Sequence, residues 1–253
     1  MFTIERQNEI IALLKFKKSV TVKELAKKFY ISEATVRRDL DKLQKQGVLQ
    51  KTHGGAVLLA GLDTEIPLSV REIEQKIEKE IIGRLAANLV NNNSITIMDS
   101  STTTLKVVPH LKNKKNIVVI TNGAKTAVEL GEFLHTEVYC TGGKFRENSL
   151  SFIGEIARDS IDRFSADIVF FSCRALSIRD GLYDASPEEA ELRKHMISRS
   201  KKTVLLCDHT KFGNTSFYKI SDFVDIDIIV TNKKPSRQWV QFLDQNDIKL
   251  IFE

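Results

Sequence analysis

The sequence of 253 residues has no apolar run of about 18 residues and no recognisable signal peptide. We therefore expect a protein that neither spans a membrane nor is exported. Cysteine is scarce, since only Cys140, Cys173 and Cys207 are present, an odd number at wide spacing that fits no metal-finger pattern. A reducing cytoplasm suits this cysteine usage best, and we expect no bound metal or other cofactor. No internal repeat or low-complexity segment is visible.

Positive charge is concentrated in the first quarter of the chain. Residues 1 to 60 contain 12 Lys and Arg against 6 Asp and Glu, a formal charge of +6. The remaining residues contain 26 Lys and Arg against 27 Asp and Glu, a formal charge of −1. A basic module on a nearly neutral body is typical of proteins that bind nucleic acid.

Residues 21–56 have the pattern of a winged helix-turn-helix: a short helix, a tight turn, a longer helix and a basic hairpin. In the longer helix Val36, Leu40 and Leu43 follow the spacing i, i+4 and i+7, which forms one apolar stripe. The opposite edge of this helix is basic and carries small side chains. The sequence therefore predicts a helix that packs by one face and presents the other to a partner.

Local signals define where these helices begin. Ser32 stands at the N-cap position of the longer helix, and Thr21 and Glu24 have capping-box spacing at the start of the shorter one. A further helix upstream closes a three-helix core, which a domain of about 55 residues can support only marginally. Its apolar residues are Ile4, Ile10, Ile11, Leu13 and Leu14.

Duplex DNA is the partner that this pattern predicts, because the second helix of a helix-turn-helix enters the major groove. We assign Ala34, Thr35 and Arg38 to base edges, and Arg38 could bind a guanine through two hydrogen bonds. The cations nearby are expected to contact phosphates. The predicted DNA-binding residues are Ser32, Ala34, Thr35, Arg37, Arg38, Lys42, Lys45, Lys51 and His53. The alternative is that these charges form a solvated helix face.

The wing is expected in the alternating segment VLQKTHGG, residues 48–55. Lys51 and His53 would lie at its tip. Gly54 and Gly55 would supply a turn that needs positive φ.

The chain is long enough for a second, larger domain. Gly61, Pro67 and weak periodicity indicate a linker. We therefore divide the chain into a DNA-binding domain over 1–57, a linker over 58–70 and an effector-sensing and oligomerisation domain over 71–253.

The second domain alternates helix-period segments with short apolar runs, beginning with a helix predicted from Arg71 to Val90. Such alternation predicts βαβ units and an α/β domain with a mainly parallel sheet. Ligands bind such sheets beyond the carboxyl ends of the strands. The predicted strands are SITIM, NIVVIT, EVYCT, DIVFFS, TVLLC, DIIVT and KLIF.

The first of these strands runs into DSSTTT, residues 99–104, at a strand-to-helix turn. A helix N-terminus offers backbone N–H groups and a positive dipole end to an anion, and hydroxyls add further donors. The segment therefore predicts a phosphate cradle, although it lacks the glycines and lysine of a Walker loop. The alternative is an extended N-cap.

Polar residues follow further strands. Asn122 and Asp208 can bind sugar hydroxyls, and Lys211 or Arg174 can neutralise phosphate. The predicted ligand-binding residues are Asp99, Ser100, Ser101, Thr102, Thr103, Thr104, Asn122, Gly123, Gly142, Gly143, Arg174, Asp208 and Lys211. Taken singly, a glycine pair is also explained as a turn and a lone lysine as a solvated charge.

Both halves resemble the DeoR family of bacterial transcription regulators, over nearly the whole chain. The family pattern is seen in VTVKELAKKFYISEATVRRDLDKLQKQGVL, in the wing HGGA, and in DSSTTT, TNG, the GG after the third strand and DHTKFG. The resemblance implies a repressor or activator of sugar-utilisation genes that assembles as a homodimer or larger oligomer. It also implies that the second domain resembles ribose-5-phosphate isomerase and CoA transferases in fold and senses a phosphorylated sugar. Its contacts would be Asp99 to Thr104, Asn122, Gly142, Gly143 and Lys211.

Two segments depart from the family pattern. TNG replaces the more usual TNS or TNN, and SCRALS stands where many members have a glycine-rich turn. Within it, Arg174 could favour a more anionic ligand or pair with Asp180 or Glu189, and we prefer the pairing. The three cysteines could act as a thiol switch, or with His209 as a metal sensor, but free cysteines are more often small buried hydrophobes.

Three functions are compatible with the sequence. The leading one is a sequence-specific transcription regulator, with repression expected, whose DNA affinity responds to a phosphorylated sugar or polyol. The second is an isomerase or CoA-transferase-like enzyme, with Asp208, Glu188, Glu189 and Lys211 as candidate residues, although no motif sets a nucleophile beside a base. The third is a DNA-binding module controlled by oligomerisation alone.

Overall fold

The computed structural model describes residues 3–45, 48–58, 66–133 and 135–253. Within it the chain forms two compact units, Met1–Glu74 and Gln75–Glu253. Residues 59–65 of the expected linker lie outside the described residues, so the linker itself stays a prediction.

The first unit is a winged helix-turn-helix, as predicted. Its helices are α1 (Thr3–Lys17), α2 (Val22–Phe29), α3 (Glu33–Lys45) and α4 (Leu68–Ile73). Its strands are β1 (Ser19–Thr21), β2 (Leu49–Thr52) and β3 (Gly55–Leu58). The strands pair antiparallel in the order β1-β3-β2, so the wing hairpin is fastened to the short strand between α1 and α2.

The apolar stripe of α3 packs inward as its spacing predicts. Val36, Leu40 and Leu43 are at most 1% exposed, and burying each contributes roughly 1.5 to 3 kcal/mol. Leu13 lies half-buried at the margin of this core, while the side chain of Ile4 is outside the described ones. From α1 the core receives Ile10, Ile11 and Leu14.

Side-chain caps begin both helices of the motif where the sequence places them. The Glu24 N–H donates to Thr21 Oγ1 at 3.1 Å, and the Thr35 N–H donates to Ser32 Oγ at 3.2 Å. The pKa of Glu24 is lowered chiefly by its bond with Lys17 and also by the Thr21 N–H, the reciprocal half of a capping box. The turn between α2 and α3 is thus fixed by local hydrogen bonds.

The expected role of the two wing glycines is wrong. Neither Gly54 nor Gly55 has positive φ. Instead, a Cβ on Gly55 would lie 1.9 Å from the Val20 carbonyl oxygen, because β1 packs directly against this position. Gly55 is therefore required by close strand approach rather than by turn conformation.

The single helix predicted from Arg71 to Val90 is wrong as well. The chain forms α4 and then α5 (Lys76–Ala87), because Gln75 adopts a left-handed conformation with φ 50° between them. Val70 is buried in the core of the first unit. The two units consequently divide after Glu74, where the prediction divided them after residue 70.

The second unit is an α/β domain with a parallel sheet of seven strands, which confirms the predicted fold. The sheet order is β15-β14-β12-β9-β4-β5-β6. These strands are β4 (Ile95–Met98), β5 (Ile117–Thr121), β6 (Thr136–Cys140), β9 (Ile168–Phe171), β12 (Thr203–Leu206), β14 (Ile228–Val230) and β15 (Lys249–Ile251).

Short antiparallel elements, which the sequence did not predict, flank this sheet. They are β7 (Lys144–Arg146) paired with β8 (Ser151–Ile153), and a sheet in the order β10-β11-β13, made of β10 (Ala175–Ser177), β11 (Gly181–Asp184) and β13 (Tyr218–Ser221). The remaining helices are α6 (Thr102–Leu105), α7 (Ala124–Leu130), α8 (Glu155–Asp162), α9 (Pro187–Ser198) and α10 (Arg237–Gln245).

Both faces of the seven-stranded sheet are covered. Ile97 and Met98 are both fully buried, yet they belong to different cores, because successive strand residues point to opposite faces. Because the strands run parallel, their carboxyl ends lie at one edge of the sheet. Among the described residues, no helix has the length and apolar character needed to cross a bilayer.

Candidate DNA interface and ligand site

The outer face of α3 carries exposed cations. Arg38, Lys42 and Lys45 are exposed, and none of the three has an ion pair or hydrogen bond from its side chain within the described part of the chain. Arg37 does pair with Glu33, at 3.4 Å, but both side chains are about half exposed. Such an i,i+4 pair is worth only about 0.3 to 0.5 kcal/mol, so Arg37 can exchange it for a phosphate.

The first turn of α3 is also open at its surface. Ser32 and Ala34 are exposed, while Thr35 is half-buried and its hydroxyl lies 2.9 Å from that of Ser32. Ala34 and Arg38 are one turn apart on the same side of the helix. The structure thus brings the predicted base-edge residues together in the N-terminal half of α3, on the side away from its buried stripe.

Directly behind this face, Asp39 points inward and binds Arg6 of α1. Arg6 Nε donates to Asp39 Oδ2 at 2.5 Å and Nη2 donates to Oδ1 at 3.2 Å, with Gln7 donating to the same Oδ1 at 3.2 Å. Both charged side chains are buried, and the bond to Asp39 raises the pKa of Arg6. No local sequence pattern indicates this pair, which ties α3 to α1.

The wing differs in detail from its prediction. Lys51 is not at the tip but within β2, opposite Ala56, and its ammonium pairs with Asp41 of α3. His53 is exposed at the turn, as expected. The wing and α3 are therefore linked by the ion pair of Lys51 and Asp41. A DNA phosphate that binds Lys51 would have to share the ammonium with Asp41 or displace that carboxylate.

In the second unit, the strand ends singled out in the sequence are neighbours. The strands β12, β9, β4, β5 and β6 lie side by side and run parallel, so the segments that follow them meet at one edge. This is the edge at which open α/β sheets bind ligands.

At the centre of this edge, Asp99 is engaged by the protein itself. Its Oδ1 accepts the Ser101 N–H at 3.0 Å, and its Oδ2 accepts the Ser172 N–H at 3.1 Å and Arg193 Nε at 2.8 Å. Burial opposes ionisation of this carboxyl, but the Arg193 charge and the hydrogen bonds outweigh it and hold the Asp99 pKa below its usual value. Asp99 therefore ties β4 to β9 and α9.

All six residues of the segment DSSTTT are buried. Ser101 is the N-cap of α6, because its Oγ accepts the Thr104 N–H at 3.1 Å while donating to Thr104 Oγ1 at 2.8 Å. For Ser101, the alternative interpretation of this segment as an N-cap is therefore the one that the structure shows. Thr102 and Thr103 follow in the short helix.

The end of β5 holds a buried polar atom without a hydrogen-bond partner in the part of the chain that the structure describes. Asn122 is 1% exposed, and its amide nitrogen donates to the Phe152 carbonyl at 3.1 Å and lies 3.5 Å from Ser100 Oγ. Its Oδ1 is buried without a donor among the described residues. Next to it, a Cβ on Gly123 would lie 3.1 Å from Ser100 Cα, so glycine lets the ends of β4 and β5 come together.

A buried charged network, missed in the sequence, lies beside these strand ends on α9. Arg193 contacts three carboxylates: Asp99, Asp184 at 2.7 Å and Glu189 at 3.8 Å. Burial lowers the pKa of this guanidinium, but the three negative charges more than compensate and raise it. Only the spacing of Glu189 and Arg193, four residues apart on a helix, signalled a pair in the sequence.

Glu189 also reaches toward the predicted ligand residues. Its Oε2 accepts a hydrogen bond from the Ser100 hydroxyl at 3.4 Å, and its Oε1 accepts one from the Ser151 hydroxyl at 2.5 Å. The same Oε1 lies 3.7 Å from Arg146 Nη1. Arg146 comes from the β7–β8 hairpin. Glu189 therefore connects the ends of β4 and β8 to α9.

The other flank is formed by the ends of β9 and β12. Lys211 is half-buried, and its Nζ donates to the Cys173 carbonyl at 2.5 Å and to Ser172 Oγ at 3.3 Å. Asp208 is buried and accepts the Thr210 N–H at 3.0 Å, so it caps the short turn that carries Lys211. Lys211 therefore contacts Ser172, the residue whose backbone N–H donates to Asp99.

Gly142 and Gly143 both have positive φ, 65° and 111°. A Cβ on Gly143 would lie 2.6 Å from the Ile153 carbonyl oxygen, whereas one on Gly142 would meet open space. Gly143 is therefore needed for close packing against β8. Of the two glycines, Gly142 alone has free space next to its Cα.

The preferred interpretation of Arg174 is wrong. Its side chain is exposed, and in the described ranges it pairs with neither Asp180 nor Glu189. Asp180 accepts Ser177 Oγ at 2.9 Å instead, and Glu189 is occupied by the α9 network. Arg174 consequently has its charge available to solvent or to a ligand.

Two of the three thiols are buried at strand ends. Burial raises the pKa of Cys173 to about 12 and that of Cys207 well above its usual value, so both stay protonated near neutrality. Cys140 is exposed. The His209 N–H donates to Asn232 Oδ1 at 2.9 Å, and no cluster of metal-binding side chains occurs among the residues described.

Comparison with known proteins assigns both units. A family model described as the DeoR C terminal sensor domain matches residues 74–233, and one described as a DeoR-like helix-turn-helix domain matches residues 6–60.

Curated relatives match along the full length. The chain is 36% identical over 253 residues to an uncharacterised HTH-type transcriptional regulator, YulB, of Bacillus subtilis, covering 99% of this chain and 96% of the relative. It is 29% identical over 246 residues to the glycerol-3-phosphate regulon repressor of Escherichia coli K12, covering 97% of each. Ribose 5-phosphate isomerase A of Methanocaldococcus jannaschii aligns with a TM-score of 0.40 at 12% identity, over 55% of each chain.

Proposed function

Because this chain belongs to the DeoR family of transcription regulators, we propose that it represses genes of sugar metabolism in response to a phosphorylated sugar or polyol. The effector would bind at the carboxyl edge of the seven-stranded sheet and change the affinity of the first unit for operator DNA. Regulation of transcription, and not catalysis, is the activity that the family and the relatives share, so the isomerase or CoA-transferase alternative is dropped.

The buried Oδ1 of Asn122 is the observation that carries the effector proposal. A buried polar atom without a hydrogen bond costs about 1 to 3 kcal/mol. Asn122 Oδ1 has no donor among the described residues, although its amide nitrogen is satisfied. A sugar or polyol hydroxyl is a donor of the right kind, and Ser100 Oγ nearby could bind the same ligand.

Lys211 supplies the charge that a phosphate group would need. An ammonium has three N–H donors, and the contacts to Cys173 and Ser172 use two of them. The third donor remains for a phosphate oxygen. Exposed Arg174, one residue beyond Cys173, could add a second cation.

Two further points support the proposal. One relative is named as the repressor of the glycerol-3-phosphate regulon, and that compound is a phosphorylated polyol. The polar strand ends are joined by the buried network through Asp99, Glu189 and Arg193, so a ligand there contacts groups that are rigidly connected to α9.

Repression would follow from a population shift. In a homodimer the two α3 helices bind half-sites a fixed distance apart. An effector that binds one arrangement of the dimer better than another changes the fraction of dimers in which the distance between the two α3 helices fits the operator. Control by oligomerisation alone requires no effector, which separates the third hypothesis from this one.

A thermal-shift screen of phosphorylated sugars and polyols against their unphosphorylated parents tests the proposal. A ligand at about 100 times its Kd adds roughly 2.7 kcal/mol of stability, which raises the melting temperature by several degrees. We expect a selective shift with one phosphorylated compound that Lys211→Met abolishes.

Lys201→Met is the matched control, because Lys201 is exposed and its ammonium pairs, among the described residues, with Asp167 alone, at 2.9 Å. It should keep the shift. No shift with any phosphorylated compound, or equal shifts with the parents, would refute a sugar-phosphate effector and favour control by oligomerisation.

A further inference from the structure

Tyr30 combines an exposed side chain with a strained backbone. It lies in the turn between α2 and α3, and it is 94% exposed, more than any other large apolar side chain that the structure describes. Its φ of 55° and ψ of 45° are left-handed, and its N–H closes α2 by donating to the Ala26 carbonyl. Glycine and asparagine adopt this conformation most easily, because a side chain crowds the backbone there.

Stability of the first unit does not explain a tyrosine at this position. The ring buries almost no surface, and within the described residues the hydroxyl has no hydrogen-bond partner. An asparagine or a glycine in its place would close α2 with less strain. Strain that the fold does not need tends to accompany function.

The position of the turn indicates what Tyr30 contacts. It is two residues before Ser32, which caps the end of α3 that enters the major groove in helix-turn-helix proteins. Tyr30 therefore lies in the turn directly before that end of α3, with its side chain exposed to solvent. Lys27, in the last turn of α2, is also exposed and without an ion pair in the described chain.

We propose that Tyr30 contacts DNA by donating a hydrogen bond from its hydroxyl to a backbone phosphate at the edge of the major groove. A tyrosine hydroxyl is a donor, and such side chains commonly contact the phosphate backbone. The contact orients α3 in the groove without reading sequence. This inference rests on the DNA-binding function of the family.

Two substitutions in the 253-residue chain test it, with a duplex of about 30 base pairs that the wild-type protein enriches from a randomised library. Tyr30→Phe removes only the hydroxyl, and Tyr30→Asn removes the ring while suiting the left-handed backbone. We expect each to weaken binding about tenfold, the effect of losing one hydrogen bond to a charged group. Tyr30→Asn should not lower the melting temperature.

The salt dependence adds an independent readout. Tyrosine carries no charge, so neither variant should change the slope of log Kd against log salt concentration. Lys42→Ala is the matched control, since loss of one phosphate-neutralising cation should reduce that slope by about 1.

Each alternative result is distinct. Wild-type affinity in both variants would overturn the role of Tyr30 and leave the DNA-binding function intact. Weak binding by Tyr30→Asn alone would overturn the hydroxyl–phosphate bond, and a lowered melting temperature would assign Tyr30 to folding. If the wild-type protein enriched no duplex, the DNA-binding function would itself fail, and this inference with it.

Discussion

The Arg193 guanidinium binds the Asp99 carboxylate at 2.8 Å, although 94 residues separate them in the sequence. Both side chains are at least nine-tenths buried, so neither charge has water as an alternative partner. Through this bond the end of β4 is fastened to α9, and Glu189 on the same helix reaches Ser100, one residue beyond Asp99. The candidate ligand edge is therefore held to α9 by buried, mutually paired charges.

The first prediction concerns acid stability. The pKa of Asp99 is lower in the folded protein than in the unfolded chain, so its contribution is complete above about pH 5 and is lost as the pH falls through the folded pKa. We expect the free energy of unfolding to fall more steeply below about pH 5 in the wild type than in Asp99→Asn. Urea titrations followed by fluorescence of Trp239, the only tryptophan, report on the second unit. Equal pH slopes would contradict it.

The second prediction concerns the buried pair of Arg6 and Asp39. Removing one partner leaves an uncompensated buried charge, so Arg6→Met or Asp39→Leu should destabilise the first unit by about 3 kcal/mol or more. The double variant should be much less destabilised than the two single effects together. Hydrogen exchange of the α1 and α3 amides measures this, while Trp239 fluorescence should report unchanged unfolding of the second unit. Additive single effects would show that the two charges are not coupled.

The third prediction compares the wing glycines. Gly55→Ala should displace β3 from β1 at a cost of at least about 1 to 3 kcal/mol, because the new methyl would lie 1.9 Å from the Val20 carbonyl oxygen. Gly54→Ala should be tolerated, since a Cβ there meets nothing within 4 Å and φ is not positive. Hydrogen exchange of β2 and β3 distinguishes the two. Similar protection in both variants would be inconsistent with the packing of β1.

The fourth prediction concerns the unpartnered oxygen. Asn122→Ala should abolish the stabilisation given by the compound that the thermal-shift screen selects, yet cost the free protein only about 1 kcal/mol, the worth of the bond to Phe152. Asn246→Ala is the control, because Asn246 is exposed and its amide donates to the Phe242 carbonyl at 2.7 Å, at the end of α10. A full ligand shift in Asn122→Ala would remove Asn122 from the site.

The fifth prediction separates DNA binding from ligand sensing. Arg38→Ala should reduce specific DNA binding, by roughly 1 to 3 kcal/mol of discrimination, and leave the ligand-induced shift intact. Lys211→Ala should do the reverse. Gel-shift and thermal-shift assays on the same preparations measure both properties. Loss of both in both variants would refute the division of labour between the two units.

Patterns that depend on neighbouring residues were readable from the sequence. The stripe of Val36, Leu40 and Leu43 and the caps at Thr21 and Ser32 each follow from local spacing, and all are confirmed. The parallel sheet was equally readable, because buried strands are short continuous apolar runs.

Features that depend on distant residues were not readable. Nothing local to Arg193 indicates that it turns inward to Asp99 and Asp184, since a charge on a helix is usually solvated. The break at Gln75 likewise has no sequence signal, because residues other than glycine seldom adopt positive φ. The sequence indicated that glycine is required at position 55, but the cause is close contact with Val20 of β1, which lies 35 residues earlier.

The connectivity of the two units has a consequence for the order in which they form during synthesis. The core of the first unit is complete by Val70, so it can assemble while the ribosome is still making the second. The seven-stranded sheet cannot do so, because β4 pairs with β9, some 70 residues later, and β15 at the far edge follows only at Lys249–Ile251. The nascent chain therefore acquires its helix-turn-helix before the unit that matches the sensor domain is complete.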